Sequence, residues 1–134
     1  MTIGYSVPVR NAMLDAITSA AGGSATIKIY TGTRPVTSGG AITSQTLLVT
    51  LTCNATFAAA ASGAVLTLNA ITSGTAVATG STTGAWFRLA TSGGTFIADG
   101  DVGNTGSDLN LGVATINSGQ TVAISSFQIT EGNP

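Results

Sequence analysis

Apolar residues recur along this chain with two different periods, and the change between them marks its organisation. Over Arg10 to Ala21 the sequence RNAMLDAITSAA places Met13, Leu14, Ile17 and Ala21 on one face of a 3.6-residue repeat. Arg10 or Asn11 lies near the start and Gly22-Gly23 forms a stop, so the spacing predicts one short amphipathic helix over 10–21. Before it, Ile3, Tyr5, Val7 and Val9 alternate with small or polar residues around Pro8, which reads as an extended N-terminal arm over 1–9. From Ser24 onward the period is two, β-branched residues are abundant, and Gly, Ser and Thr clusters separate short apolar runs.

Seven strands are predicted: Thr26 to Thr31, Leu47 to Cys53, Ala64 to Ala70, Ala85 to Ala90, Thr95 to Asp99, Leu109 to Thr115 and Thr121 to Thr130. Ser92-Gly93-Gly94 links two of them as a β-hairpin from Trp86 to Asp99. Within the last run, Val122 and Ile124 are out of phase with Phe127 and Ile129, so a β-bulge at Ser125-Ser126 is expected to turn the strand. Ala58 to Ala61 reads as a strand end and connection rather than a turn of helix. The class this implies is mostly β: an antiparallel β-sandwich or jelly roll formed by 10–134 as one domain, with the arm and one short α-helix. Thr33 to Thr46 is too long for a simple turn and is the expected contact loop.

Composition adds exclusions. The 134 residues include no His, one Cys and nine charged side chains. Catalysis near neutral pH draws on groups that titrate there or on clusters of acids, amines and metal ligands, so an enzyme is not expected and neither is a cofactor. A formal net charge of −1, with Arg10, Lys28, Arg34 and Arg88 scattered, gives no field for nucleic acid, and no apolar run is long enough to span a membrane. Charged residues make up 7% of the chain, against roughly a quarter to a third of an ordinary soluble surface, so neighbouring copies are expected to cover much of it as a homodimer or homotrimer. Cys53 has no partner for an internal disulfide, and residues 1–20 lack a signal-peptide pattern, so synthesis in a reducing cytoplasm is expected. Its side with Leu47, Val49 and Leu51 is the inward one.

Candidate chemistry is thin. Asp99, Asp101 and Asp108 with Asn104 are the candidate metal-ligating residues, but Gly103, Asn104 and Asn110 stand where an EF-hand needs an oxygen ligand, a glycine and a bidentate Glu. A plain Asx/Gly turn is the preferred reading. Asp99 and Asp101 as a glycosidase pair lack aromatic platforms for a sugar, and the serines have no His to activate them. Trp86 and Phe87 point to opposite faces of one strand, one toward the core and one free to reach a partner.

The helix RNAMLDAI with its Gly-Gly stop, the strand IKIYTGTRP, the loop TSGGAITSQTLLVTLT, the hairpin WFRLATSGGTFIADGDVG and the LNLG run follow one another over residues 7–112. In that order they resemble a group of small virion proteins of tailed bacteriophages. The resemblance implies a head decoration, or cement, protein: a β-sandwich or jelly roll on the capsid exterior whose partners are the major capsid protein and itself. A tail-fibre carbohydrate-binding or adhesin module and a tail tube or connector subunit are the alternatives. The expected contacts are Ile3, Tyr5, Val7 and Val9 of the arm and Arg34, Pro35, Val36 and Ile42 of the loop.

Overall fold

The structure, a computed structural model, describes residues 3–131. Its first element, helix α1, runs Val7–Ala21, three residues earlier than the periodicity predicts. Pro8 does not exclude Val7 and Val9 from the helix, because the amide that proline lacks would have no intrahelical acceptor in the first turn. The arm therefore ends at Ser6, and its first two residues lie outside the described part. At the other end Gly22 adopts φ 64° and donates its N–H to the Thr18 carbonyl, closing the helix.

Only Leu14 and Ala21 of α1 are fully buried; Met13, expected on the core face, is exposed. Polar side chains tie the helix down instead. Asn11 accepts the Ala64 N–H at 2.8 Å, Asp15 accepts the Ala61 N–H at 2.7 Å, and the Arg10 guanidinium donates to the Glu131 carbonyl. Ala64 sits in a turn at φ 61°, where Ser62 and Val65 exchange backbone hydrogen bonds.

Eleven strands follow: β1 Thr26–Thr31, β2 Thr46–Thr52, β3 Val65–Thr67, β4 Gly74–Thr75, β5 Gly80–Ser81, β6 Ala85–Ala90, β7 Phe96–Gly103, β8 Leu109–Asn110, β9 Thr115–Ile116, β10 Thr121–Val122 and β11 Gln128–Thr130. The main sheet has the order β2-β1-β6-β7-β8, antiparallel except where β7 meets β8 in parallel. The pairs β4/β10, β3/β11 and β5/β9 are short and separate. The domain is mostly β, with one helix near its N-terminus and a curved, partly antiparallel sheet resembling half a barrel.

The inner face of the sheet carries Ile27, Ile29, Val49, Leu51, Phe87 and Leu89. These join Leu14, Phe57, Leu66, Ile116, Val122 and Phe127 from the helix and short strands in one core. Phe87 meets Phe127 edge-on at 5.4 Å. Beside Ile29 and Tyr30 the register jumps from Val49 to Leu47, leaving Leu48 as a bulged residue. The bulge reverses the inward set at one end of β2. Leu48 is buried, whereas Leu47, expected inward, pairs opposite Tyr30 on the other face.

The run Thr121 to Thr130 also divides. Irregular residues 123–127 replace the expected bulge, and β10 and β11 pair with different partners, β4 and β3. Leu109 to Thr115 likewise breaks into β8 and β9, which join different sheets. Two-residue strands such as β4 and β5 are too short to show alternation in the sequence.

Cys53 lies just past β2, 3% exposed, with its thiol pushed up to about 11 by burial. Thiolate is the reactive form, so a thiol reagent at pH 8 should label native protein at least about a hundredfold more slowly than denatured protein. Native and denatured time courses with a chromogenic disulfide check this.

Candidate functional site

The outer face of the sheet is where the long loop before β2 comes to rest. The 92–94 turn pairs Ala90 with Phe96, and a one-residue bulge at Ile97 then shifts the register so that Arg88 stands opposite Asp99 and Trp86 opposite Asp101. The same register through β1 places Lys28 beside Arg88 and Tyr30 beside Trp86. Tyr30 and Trp86 stack with ring centroids 4.7 Å apart. The Arg88 guanidinium lies over the Trp86 ring at 5.4 Å and over Phe96 at 5.3 Å.

Arg88 and Asp99 form a two-pronged ion pair: Nε to Oδ1 at 2.8 Å and Nη2 to Oδ2 at 2.9 Å. The Asp99 side chain is 1% exposed and that of Arg88 13%. Loop residues 32–45 fold over this pair. Asp99 Oδ2 accepts the Gly39 N–H at 3.1 Å, and Arg88 Nη1 donates to the Gly40 carbonyl at 3.0 Å. Within the loop, Gln45 donates to the Thr33 carbonyl and accepts the Thr43 N–H. Arg34 pairs with Asp101 at 3.3 Å, both side chains well exposed.

Burial raises the Asp99 carboxyl pKa, but the Arg88 hydrogen bonds, the Gly39 N–H and the charges of Arg88 and Arg34 outweigh it. The net shift is below the ordinary value.

The sequence's candidate metal residues are not gathered onto one point. Asp99 is held by Arg88, Asp101 by Arg34, and Asp108 accepts the Asp101 N–H at 2.9 Å. Among the described residues no group of three or more His, Cys, Asp or Glu is positioned to hold a metal. Nor do Asp99-Gly100-Asp101 form the Asx/Gly turn expected of them; they lie inside β7. Gly100 is there for clearance, since a Cβ at that position would meet the Phe87 ring at 2.5 Å.

Of the expected partner contacts, the structure brings Arg34, Pro35 and Val36 together at the rim of a cleft of about 580 Å³ that Trp86, Asp101 and Ser107 also line. Val36 is 104% exposed at the tip, and Ile42 is exposed farther along the loop. Ile3, Tyr5, Val7 and Val9 are also exposed, with Ile3 at 69%, but Val7 and Val9 belong to α1.

Trp86 does not reach out to a partner. It is 1% exposed under the loop, while Phe87 is buried in the inner core. The indole Nε1 is buried and has no acceptor among the described residues. The residues the sequence reading missed are Arg88 and Asp99 as a pair. The Gly-Gly turn alone does not signal the pair, since its register carried along the hairpin would set Arg88 opposite Ala98; a bulge beyond Ala90 brings Asp99 into place.

Comparison with protein-family models, curated proteins and solved structures finds no match for this chain.

Two outcomes follow from the pair. Arg88→Ala strands a buried carboxylate and should cost on the order of 3 kcal/mol in denaturant unfolding. Because the folded pKa of Asp99 is depressed, its contribution is complete above the pKa of the unfolded carboxyl and is lost as pH falls through the folded value. Melting temperature should therefore drop on acidification below about pH 4, with a smaller drop in Asp99→Asn. Chelation with EDTA and addition of calcium should each leave the melting temperature of the native protein unchanged.

Proposed function

We propose that this protein is a non-enzymatic virion structural protein of a tailed bacteriophage, a decoration or cement protein that binds the outer surface of the major capsid lattice. The observation that carries the reading is a contact loop pinned to the sheet by Arg88 and Asp99 while Val36 stands free at its tip. Such a loop is ordered before it binds, which lowers the entropy lost on association.

The remaining contact surface is apolar and uncharged: Ile3, Tyr5, Val7, Val9 and Met13 at the N-terminal end. A protein bound across capsomer junctions raises the cost of separating them by its own binding free energy, and no reaction is required. Many weak contacts on a repeating lattice add avidity. The main sheet and the short strand pairs behind it are, in this reading, the unequal layers of a sandwich related to jelly rolls. A saccharide-binding role is less well served, because Trp86 and Tyr30 stack on each other beneath the loop.

The test uses phage particles that lack this protein, mixed with purified protein and sedimented. Bound protein should persist in ~1 M NaCl, where the Debye length is only about 3 Å. Val36→Asp should weaken binding about tenfold or more, the equivalent of losing one buried valine. Deleting residues 1–5, which keeps Ser6 as the cap of α1, should also weaken it. No sedimentation with any particle rejects the cement role, and release by moderate salt rejects apolar attachment.

A further inference from the structure

Trp86 is the chain's one tryptophan, and alternation along β6 puts it on the outer face of the sheet with Arg88. Arg88 has its donors filled, from Nε and Nη2 to Asp99 and from Nη1 to the Gly40 carbonyl. The indole does not. It is 1% exposed, and its Nε1 has no acceptor among the described residues. A buried N–H left unpaired costs free energy that a folded protein normally recovers with an acceptor. Arg10 Nε and Thr18 Oγ1 on α1 share that condition, but Trp86 also forms part of the wall of the 580 Å³ cleft.

That cleft is neutral. Arg34 and Asp101 stand in its wall as an ion pair at 3.3 Å, so its lining carries as much positive charge as negative and favours neither an anion nor a cation. Pro35, Val36 and Val102 add apolar wall. No aromatic face is on offer, because Tyr30 stacks on the indole at 4.7 Å and the Arg88 guanidinium lies over it at 5.4 Å. What the ring has left to give is its N–H, and the group that suits both the N–H and the neutral lining is an uncharged acceptor. Among the lining contacts the Arg34–Asp101 pair yields most cheaply, its side chains being 43% and 66% exposed, so a ligand can open a way to the indole there.

We propose that this cleft receives an uncharged segment of a partner polypeptide, one of whose backbone carbonyls accepts the Trp86 indole N–H. A peptide matches the lining in each respect. Its carbonyl meets the indole donor, its own N–H can turn to the Asp101 carboxylate, and small side chains lie against Pro35 and Val102. A sugar would bring hydroxyls but needs the ring face that Tyr30 and Arg88 occupy. Trp86 does not reach out; the partner reaches in.

Position agrees with the lattice contact already described. Val36 lines the same cleft, so a segment seated on Val36 is within reach of the indole. That the partner is the capsid lattice rests on the cement reading, whereas the acceptor chemistry belongs to the cleft itself. Recognition by a neutral hydrogen bond and apolar wall is hardly screened by salt.

Two measurements on the full chain test this. In isotope-labelled protein the single tryptophan gives one indole N–H resonance in NMR spectra. It should move progressively with N-methylacetamide, an uncharged peptide analogue, and stay in place with equal concentrations of acetate or methyl glucoside, while the Ile29 amide responds to none of them. A response to acetate or glucoside instead, or to no probe at all, overturns the proposal. Replacing Trp86 by benzothienylalanine keeps the ring shape and puts sulfur where the N–H was. The melting temperature of the free protein should then hold or rise, while binding to phage particles that lack this protein weakens about tenfold or more, the order of one lost hydrogen bond. A lowered melting temperature would mean that the N–H is already satisfied, and unchanged particle binding would leave the cement reading standing without this contact; either result overturns the proposal. If the wild type binds no particle, the cement reading falls and the amide titration alone decides the chemistry of the cleft.

Discussion

The outer face of this sheet depends on one desolvated ion pair. Arg88 and Asp99 face each other across the β6–β7 hairpin with almost no solvent on the carboxylate. Two charges withdrawn from water need their remaining donors and acceptors filled, and here loop 32–45 supplies them through the Gly39 N–H and the Gly40 carbonyl. The loop in turn keeps water off the pair. Each needs the other, and together they cover Trp86 and Tyr30, so a sheet with an apolar inner face also gains a buried outer one.

The same economy governs five of the other seven charges. Arg10, Asp15, Arg34, Asp101 and Asp108 all bond to groups within the chain. Charge that could have kept the surface solvated is used to hold the helix, the loop and the β7 edge in place. Val36 in the loop and Ile3, Tyr5, Val7, Val9 and Met13 near the N-terminus stand exposed.

Two strands were legible with their exact bounds: Thr26–Thr31, which alternates apolar and polar residues at its start, and Ala85–Ala90, a short apolar run bounded by Gly-containing turns and buried on both faces. The hairpin was legible from its Gly-Gly turn. The short strands were not: β4 and β5 consist of Gly-Thr and Gly-Ser and exist through tertiary pairing alone. Pro8 misled because its two roles, helix breaker and first-turn residue, look alike without the fold. Loop length singled out Arg34, Pro35 and Val36, which line the 580 Å³ cleft. Arg88 and Asp99 were not legible as a pair, since joining them takes a register that composition cannot give, and the acids were read in terms of metal ligands and turns.

The most direct test of the clamp is the exchange rate of the Gly39 amide, which belongs to a loop glycine and donates to the buried Asp99 carboxylate. Measured by NMR in the wild type and in Arg88→Met, it should be protected in the first and exchange near the unstructured rate in the second, with the Ile29 amide slow in both. Free exchange of Gly39 in the wild type, or unchanged protection after the substitution, would contradict a loop held in place by the Arg88–Asp99 pair.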